Sequence, residues 1–315
     1  MILPSKNSLL KSYAQVKAYV HRTPVLTSTL LNEISGAAIY FKCENFQKMG
    51  AFKMRGAVNA ILQLNDDERG RGVVTHSSGN FAQALSLAAR NLGVPAYVVM
   101  PNNCPSVKKD AVSAYGGIIT ESKPNIESRE AEAEKIKIKT GATFLHPSND
   151  INVILGQGTS AMELLEDYPD LDYIFTPVGG GGLIAGTALA AYHFGGNCKV
   201  IGGEPFEADD AYRSLQSGMI ETNTSTETIA DGLRTNLGDK NFPIIKELVT
   251  DIIRVEEVEI IAAMKLIWER LKIIVEPSSA VPFAALLKEK ERFRGKKIGM
   301  ILSGGNVDLS NIPFA

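Results

Sequence analysis

Apolar positions along this chain fall into two kinds of segment. Short runs rich in Val, Ile, Tyr and Phe, bounded by Gly, Pro or Asn, lie at Ile39–Cys43, Val73–His76, Tyr97–Met100, Ile118–Glu121, Ile174–Val178, Val200–Gly203 and Ile298–Leu302. Runs of this kind predict strands buried in parallel sheets. Between them, helical stretches are predicted over Phe81–Leu92, Glu127–Thr140, Leu183–Phe194, Val258–Leu271 and Pro282–Arg292. Repeated strand–helix alternation predicts an α/β fold, with helices on both faces of each sheet. In such sheets ligands sit beyond the carboxyl ends of strands, so the loops that leave strands and enter helices are the informative places. A compact βαβαβα block from Gly72 to Asn149 reads as a small domain, 72–149, inserted into a larger one made of 1–71 and 150–315.

Composition narrows the classes of function. The 315 residues are 44% apolar and 22% charged, with a net charge of −2. That is ordinary for a globular protein with a full core, and it excludes a disordered chain. Near-neutral charge with no long Lys/Arg run argues against nucleic-acid or membrane-surface partners. No apolar stretch reaches the ~18 residues of a membrane span, and the first residues do not read as a signal peptide. Cys43, Cys104 and Cys198 are widely spaced and odd in number. They suit neither a disulfide framework nor a zinc site, and they point to a reducing cytoplasm. The polar stretch Glu221–Thr228 reads as a surface loop.

Four strand-to-helix loops carry candidate chemistry. In PVGGGGLIAGTALAAY, Pro177–Tyr192, a strand ends in four glycines and a helix starts at once. Glycines let backbone N–H groups converge on an anion, and the helix start adds positive charge. No Walker lysine follows and no GxGxxG fingerprint is present, so a terminal phosphate fits better than a dinucleotide. The alternative is a tight turn. In THSSGNFAQALSLAAR, Thr75–Arg90, Ser77, Ser78, Gly79 and Asn80 offer hydroxyls and N–H groups to a carboxylate, or simply cap a helix through Ser78 or Asn80. In ENFQKMGAFKMRGAVNAI, Glu44–Ile61, Lys53 sits between Phe52 and Met54 just before a helix. A desolvated lysine has a lowered pKa and becomes a nucleophile for a Schiff base, whereas most lysines are solvated surface charges. In KIGMILSGGNVDL, Lys297–Leu309, a buried strand delivers Ser303 into a glycine turn.

Taken together, in this order, these motifs resemble the fold-type II pyridoxal-phosphate enzymes. Within them the chain is similar to the serine racemase and serine/threonine dehydratase family. IADGLRT (Ile229–Thr235), WERLKIIVEPSSA (Trp268–Ala280) and LSGGNVDL (Leu302–Leu309) extend the match over nearly the whole chain. The resemblance implies a tryptophan synthase β-like fold, with pyridoxal phosphate in the cleft between two parallel-sheet domains. It implies that Lys53 carries the cofactor and Phe52 packs against its ring. Asn80 would bond the ring hydroxyl, and Gly179, Gly180, Gly181, Gly182 and the Leu183 amide would cradle the phosphate. Ser303 would bond the pyridine nitrogen. Ser77, Ser78, Gly79, Asn80, Phe81 and Arg129 would face the substrate.

Ser78 matches the family's second-face base. Racemisation needs a base on each face, so Lys53 and Ser78 together make it possible. The residues alone favour acids at a helix start, but the resemblance matches Glu204, Asp210 and the carbonyl of Ala208 to a structural Mg²⁺ or Ca²⁺ site. The family loop normally reads SSGNH; Phe81 replaces its histidine, which puts the substrate preference in question. The chain ends at Ala315, so no regulatory domain is expected after the catalytic one. The expected protein is a cytoplasmic homodimer that dehydrates serine, threonine or 3-hydroxyaspartate. A racemase is the alternative, and a β-replacement enzyme fits IADGLRT and WERLKIIVEP less well. A nucleotide-dependent oxidoreductase lacks its fingerprint. A non-catalytic relative would have lost Lys53 or the glycines.

Overall fold

The structure, a computed structural model, describes residues 3–309, 312 and 313. Ten strands among them form two sheets. The larger joins β1 (Val25–Leu26), β2 (Ala38–Cys43), β7 (Tyr173–Pro177), β8 (Lys199–Pro205), β9 (Val249–Val255) and β10 (Lys297–Leu302) in the order β1-β2-β10-β7-β8-β9. The smaller joins β3 (Val73–His76), β4 (Ala96–Pro101), β5 (Ile118–Ser122) and β6 (Thr143–Phe144) in the order β5-β4-β3-β6. Every pairing between these strands is parallel except β1 with β2. This is the α/β fold that the alternating pattern predicts.

All seven expected strands are present, each within two residues of its expected ends. β5 departs in character. It is an edge strand with Ile118 half exposed, because only β4 pairs with it. The expected helix at Pro282 begins instead at Pro277, with Pro282 inside it. Pro277 takes the first helical position, where its missing N–H costs nothing. Lys53 is the first residue of the helix Lys53–Leu62 rather than a residue before it.

Apolar burial gathers in clusters on both sheets. One, with Ile154, Ile174, Leu183 and Ile184, underlies one face of the large sheet. Another, with Phe41, Phe175, Phe283 and Met300, fills the other face. A third holds Val16, Met54 and Ile61 together with Val73, Phe81 and Leu85, so the lysine helix shares a core with the smaller sheet.

A buried charge cluster sits beneath the lysine helix. Arg55 donates from Nε to Glu44 at 2.7 Å and from Nη2 to Glu163 at 2.8 Å. Lys42 Nζ reaches Glu163 at 2.6 Å, and Thr23 Oγ1 donates to Glu44 at 2.6 Å. All four charged side chains are buried, and their charges sum to zero. Balance and full hydrogen bonding are what make such burial tolerable.

Candidate active site

Lys53 Nζ lies 5.0 Å from the Phe52 ring centre and 5.8 Å from that of Phe81, and it donates to the Pro147 carbonyl at 2.8 Å. Burial disfavours the ammonium and lowers its pKa to about 8, against the opposing pull of the Glu276 carboxylate. A lysine in that range is a competent nucleophile and base near neutral pH.

Three loops converge around this nitrogen. The first follows β3. The helix Asn80–Leu92 begins at Asn80 with Gly79 as its N-cap and no capping side chain. Ser78 and Asn80 therefore do not play the capping role that the sequence allows them. Asn80 instead donates to both oxygens of Glu276, at 3.0 Å each, and accepts from Asn306 Nδ2 at 2.8 Å. Ser77 Oγ accepts from the Gly79 N–H at 3.4 Å, and Cys104 Sγ lies 4.0 Å from the Ser78 carbonyl. Phe81 is only 2% exposed and packs in the core, so it meets the site through Lys53. Arg129 lies on the helix Ile126–Thr140. Its charge pushes the pKa of His76 down further than burial alone does, which places the guanidinium by the end of β3. Its Nε is buried without a hydrogen bond.

The glycine loop follows β7. Gly181 takes φ +81, a left-handed conformation that favours glycine, and the helix Gly182–Phe194 starts with no capping side chain. A Cβ on Gly180 would stand 2.4 Å from Ser148 Oγ, and one on Gly182 would stand 2.6 Å from Gln157 Oε1. The loop is thus bare backbone with its helix-start N–H groups free of side-chain caps, which is the donor set an anion needs. The third loop follows β10. Buried Ser303 lies 3.0 Å from Ser279 Oγ, which also accepts from the Gly304 N–H at 2.7 Å. The Ser303 carbonyl accepts from the Phe52 N–H at 3.0 Å, tying this loop to the lysine.

Glu276 carries no role in the sequence-based reading, although it stands in the EPSSA motif. It is 4% exposed, and burial raises its pKa to about 7 despite the Asn80 bond. Ser279, Asn306, Ser148 and Gln157 are likewise visible only in three dimensions. The one sequence signal for Glu276 is an acid directly before a helix-starting proline. Lys108 and Asp231, paired at 2.8 Å, link the two sheets beside the same loops.

Glu204 and Asp210 stand apart from this centre. Both are fully buried. Glu204 accepts from the N–H groups of Ala211 and Tyr212 at 3.0 and 2.8 Å. Asp210 accepts from Asn223 Nδ2 at 2.7 Å and the Leu237 N–H at 2.9 Å. Burial raises both pKa values, Asp210 to about 6 and Glu204 well above its usual value with added repulsion from Asp210. Ala208 is buried in the turn between them. Among the described residues, no group of three or more His, Cys, Asp or Glu gathers as a metal site.

The sequence profile of the family described as "Pyridoxal-phosphate dependent enzyme" matches residues 16–304. The chain belongs to that family. It is 48% identical to the beta-hydroxyaspartate dehydratase of Paracoccus denitrificans over 314 residues, covering 100% of both chains. It is 50% identical to the serine racemase of Dictyostelium discoideum over 306 residues, covering 96% of this chain and 94% of that one. The crystal structure of a T.th. threonine deaminase superposes with a TM-score of 0.93 at 40% identity, covering 98% of this chain and 100% of that one. The chain is thus a fold-type II pyridoxal-phosphate-dependent enzyme of the racemase and dehydratase branch.

The residues present fit that cofactor. Gly179–Gly182 offer an uncapped helix start to a phosphate, Lys53 offers an amine of lowered pKa, and Ser303 offers a buried neutral hydroxyl. Among the described residues no helix is long and apolar enough to cross a membrane.

Proposed function

We propose that this enzyme is a dehydratase. It takes a small β-hydroxy amino acid, foremost 3-hydroxyaspartate and also serine or threonine, to a 2-oxo acid and ammonia. The observation that carries this reading is Lys53, an activated amine amid loops suited to anions. Elimination needs one base at Cα, whereas racemisation needs two. Bound pyridoxal phosphate withdraws electrons from the substrate's amino nitrogen and so stabilises negative charge at Cα. On this reading Gly179–Gly182 and the Leu183 amide hold its phosphate. Phe52 flanks its ring, Asn80 faces the ring hydroxyl, and Ser303 faces the pyridine nitrogen.

Ser77, Ser78, Gly79 and Asn80 orient the substrate carboxylate. Lys53 Nζ removes the α-proton and returns a proton to the β-hydroxyl, which departs as water. The enamine released hydrolyses to the oxo acid and ammonia. Arg129, with its buried and unpaired Nε, suits the second carboxylate of 3-hydroxyaspartate. The 48% identity to a beta-hydroxyaspartate dehydratase supports the same substrate. The unit 72–149 acts as the small domain over the cleft, in a cytoplasmic homodimer. The second reading is a racemase in which Ser78 serves the opposite face. The 50% identity to a serine racemase favours it.

An amino-acid panel assayed for ammonia release and for enantiomer formation separates the two. We expect ammonia from 3-hydroxyaspartate at the highest kcat/KM, with enantiomer formation slower by at least tenfold. Predominant enantiomer formation from any substrate would establish the second reading. Because Lys53 is neutral only above its pKa of about 8, cofactor uptake by the apoprotein should accelerate as pH rises through that value and then level off. An unperturbed lysine would keep accelerating to above pH ~10.

On this reading Glu204, Asp210 and the Ala208 carbonyl would supply oxygen donors; both carboxylates are buried, and the charge of Asp210 helps raise the Glu204 pKa. Oxygen donors of this kind suit a hard cation, Mg²⁺ or Ca²⁺. A cation that binds only the folded state raises the melting temperature. Chelation should therefore lower it, and Mg²⁺ or Ca²⁺ should restore it. Asp210→Ala should remove the response, and a wild type indifferent to chelator would refute the site.

A further inference from the structure

We propose that His146 is a positioning residue. Its Nδ1, kept as an unprotonated acceptor, shapes the turn Pro147–Asn149 so that it holds both Lys53 and the glycine loop. The proposal rests on the reading of those two elements as the cofactor's seat. Nδ1 accepts from the Ser148 N–H at 3.2 Å and from the Asn149 N–H at 2.8 Å. A ring nitrogen that accepts two hydrogen bonds carries no proton, so the ring proton is on Nε2. One side-chain atom therefore satisfies two successive backbone donors and sets the path of the turn.

Each residue of that turn engages part of the centre. The Pro147 carbonyl accepts from Lys53 Nζ at 2.8 Å and from Gln157 Nε2 at 3.3 Å. Ser148 lies directly behind Gly180 and Gly182, and its carbonyl accepts from Asn241 Nδ2 at 3.1 Å. That same amide donates to the Gly180 carbonyl at 2.8 Å. Asn149 donates to Asp239 at 2.7 Å and accepts from the Lys240 N–H at 2.8 Å. The turn thus connects the lysine, the glycine loop and the segment 238–241 through a single imidazole.

The surroundings keep that imidazole neutral. It is enclosed by His76, whose ring centre lies 6.1 Å away, and by Phe144 at 6.4 Å. Burial, with His76, Lys53 and Lys240, lowers its pKa to about 4 against the opposing charge of Asp239. Glu130, Glu134 and Lys137 line the cavity on its other side. The acceptor is therefore available throughout the neutral range.

The test compares apoprotein of the wild type, His146→Ala and His146→Asn. The asparagine Oδ1 stands the same number of bonds from the backbone as the histidine Nδ1, so it restores the acceptor without the ring. Affinity for pyridoxal phosphate should fall at least tenfold in His146→Ala and stay within about threefold of wild type in His146→Asn. An alanine variant that binds like wild type, or an asparagine variant as weak as the alanine one, would overturn the proposal. Nitrogen NMR of histidine-labelled wild-type apoprotein gives a second, independent reading. His146 Nδ1 should remain unprotonated from about pH 5 to 8, where an ordinary histidine titrates, and a protonated Nδ1 in that range would also overturn the proposal. Wild type that takes up no pyridoxal phosphate would refute the cofactor reading, and the NMR result would then decide on His146 by itself.

Discussion

Replacing Lys53 by alanine should lower turnover by at least ~10³-fold, within the range assigned to a positioned general base. It should also abolish covalent retention of pyridoxal phosphate after borohydride treatment. The amine is the group that both holds the cofactor and takes the proton, and its neighbours are arranged for it. Phe52 and Phe81 lie beside it, and burial brings its pKa to about 8. The glycine loop remains intact in the variant, so the cofactor should still bind, now reversibly. Lys53→Arg is the sharper control, since a guanidinium keeps charge and reach but stays protonated. Turnover in either variant near the wild-type rate would show that the base is elsewhere. Persistent borohydride-fixed cofactor would show a different lysine at work.

The second large effect is on stability. Arg55→Met should destabilise the protein by about 3–5 kcal/mol, the cost of leaving buried charge uncompensated. Arg55 satisfies both Glu44 and Glu163, and its removal leaves two buried carboxylates facing Lys42 alone. The melting temperature should drop by more than ~5 °C. Adding Glu163→Gln should recover part of the loss, because Lys42 and Glu44 then balance. Such recovery between contacting sites is the mark of a coupled network. A single variant as stable as wild type would mean that water reaches the cluster and screens it.

The elements most legible from sequence are those whose residues answer to local physics. β3, β7 and β10 read as buried strands because β-branched and apolar residues dominate them and no acidic residue breaks them, and Gly181 needs the backbone freedom that its loop suggests. Lys53 stands out because Phe52 and Met54 flank it. β9 escapes such a reading because Thr250, Asp251 and Arg254 break its apolar run; its register shift against β8 and its edge position accommodate them. Pro282 reads as a helix start because proline favours first positions, but Pro277 already fills that role. Glu276 and His146 are illegible for another reason. Each owes its role to partners far along the chain, Asn80 for the one and the Lys53 neighbourhood for the other. Local pattern cannot express such pairings.

The order of strands in the large sheet governs how the protein can be made. β2 is flanked by β1 and β10, and Ile39 pairs with Ile298. When β2 leaves the ribosome, its permanent neighbour has yet to be translated. At ~5–20 residues per second, the wait is roughly 10–50 s. All four strands of the smaller sheet lie between Val73 and Phe144, so that sheet has every strand it needs long before the larger one does. Through that interval β2 presents an unpaired apolar edge carrying Ile39 and Phe41, the kind of edge that recruits other chains. Ribosome-bound nascent chains should therefore be most prone to aggregate after the smaller sheet has closed and before β10 emerges.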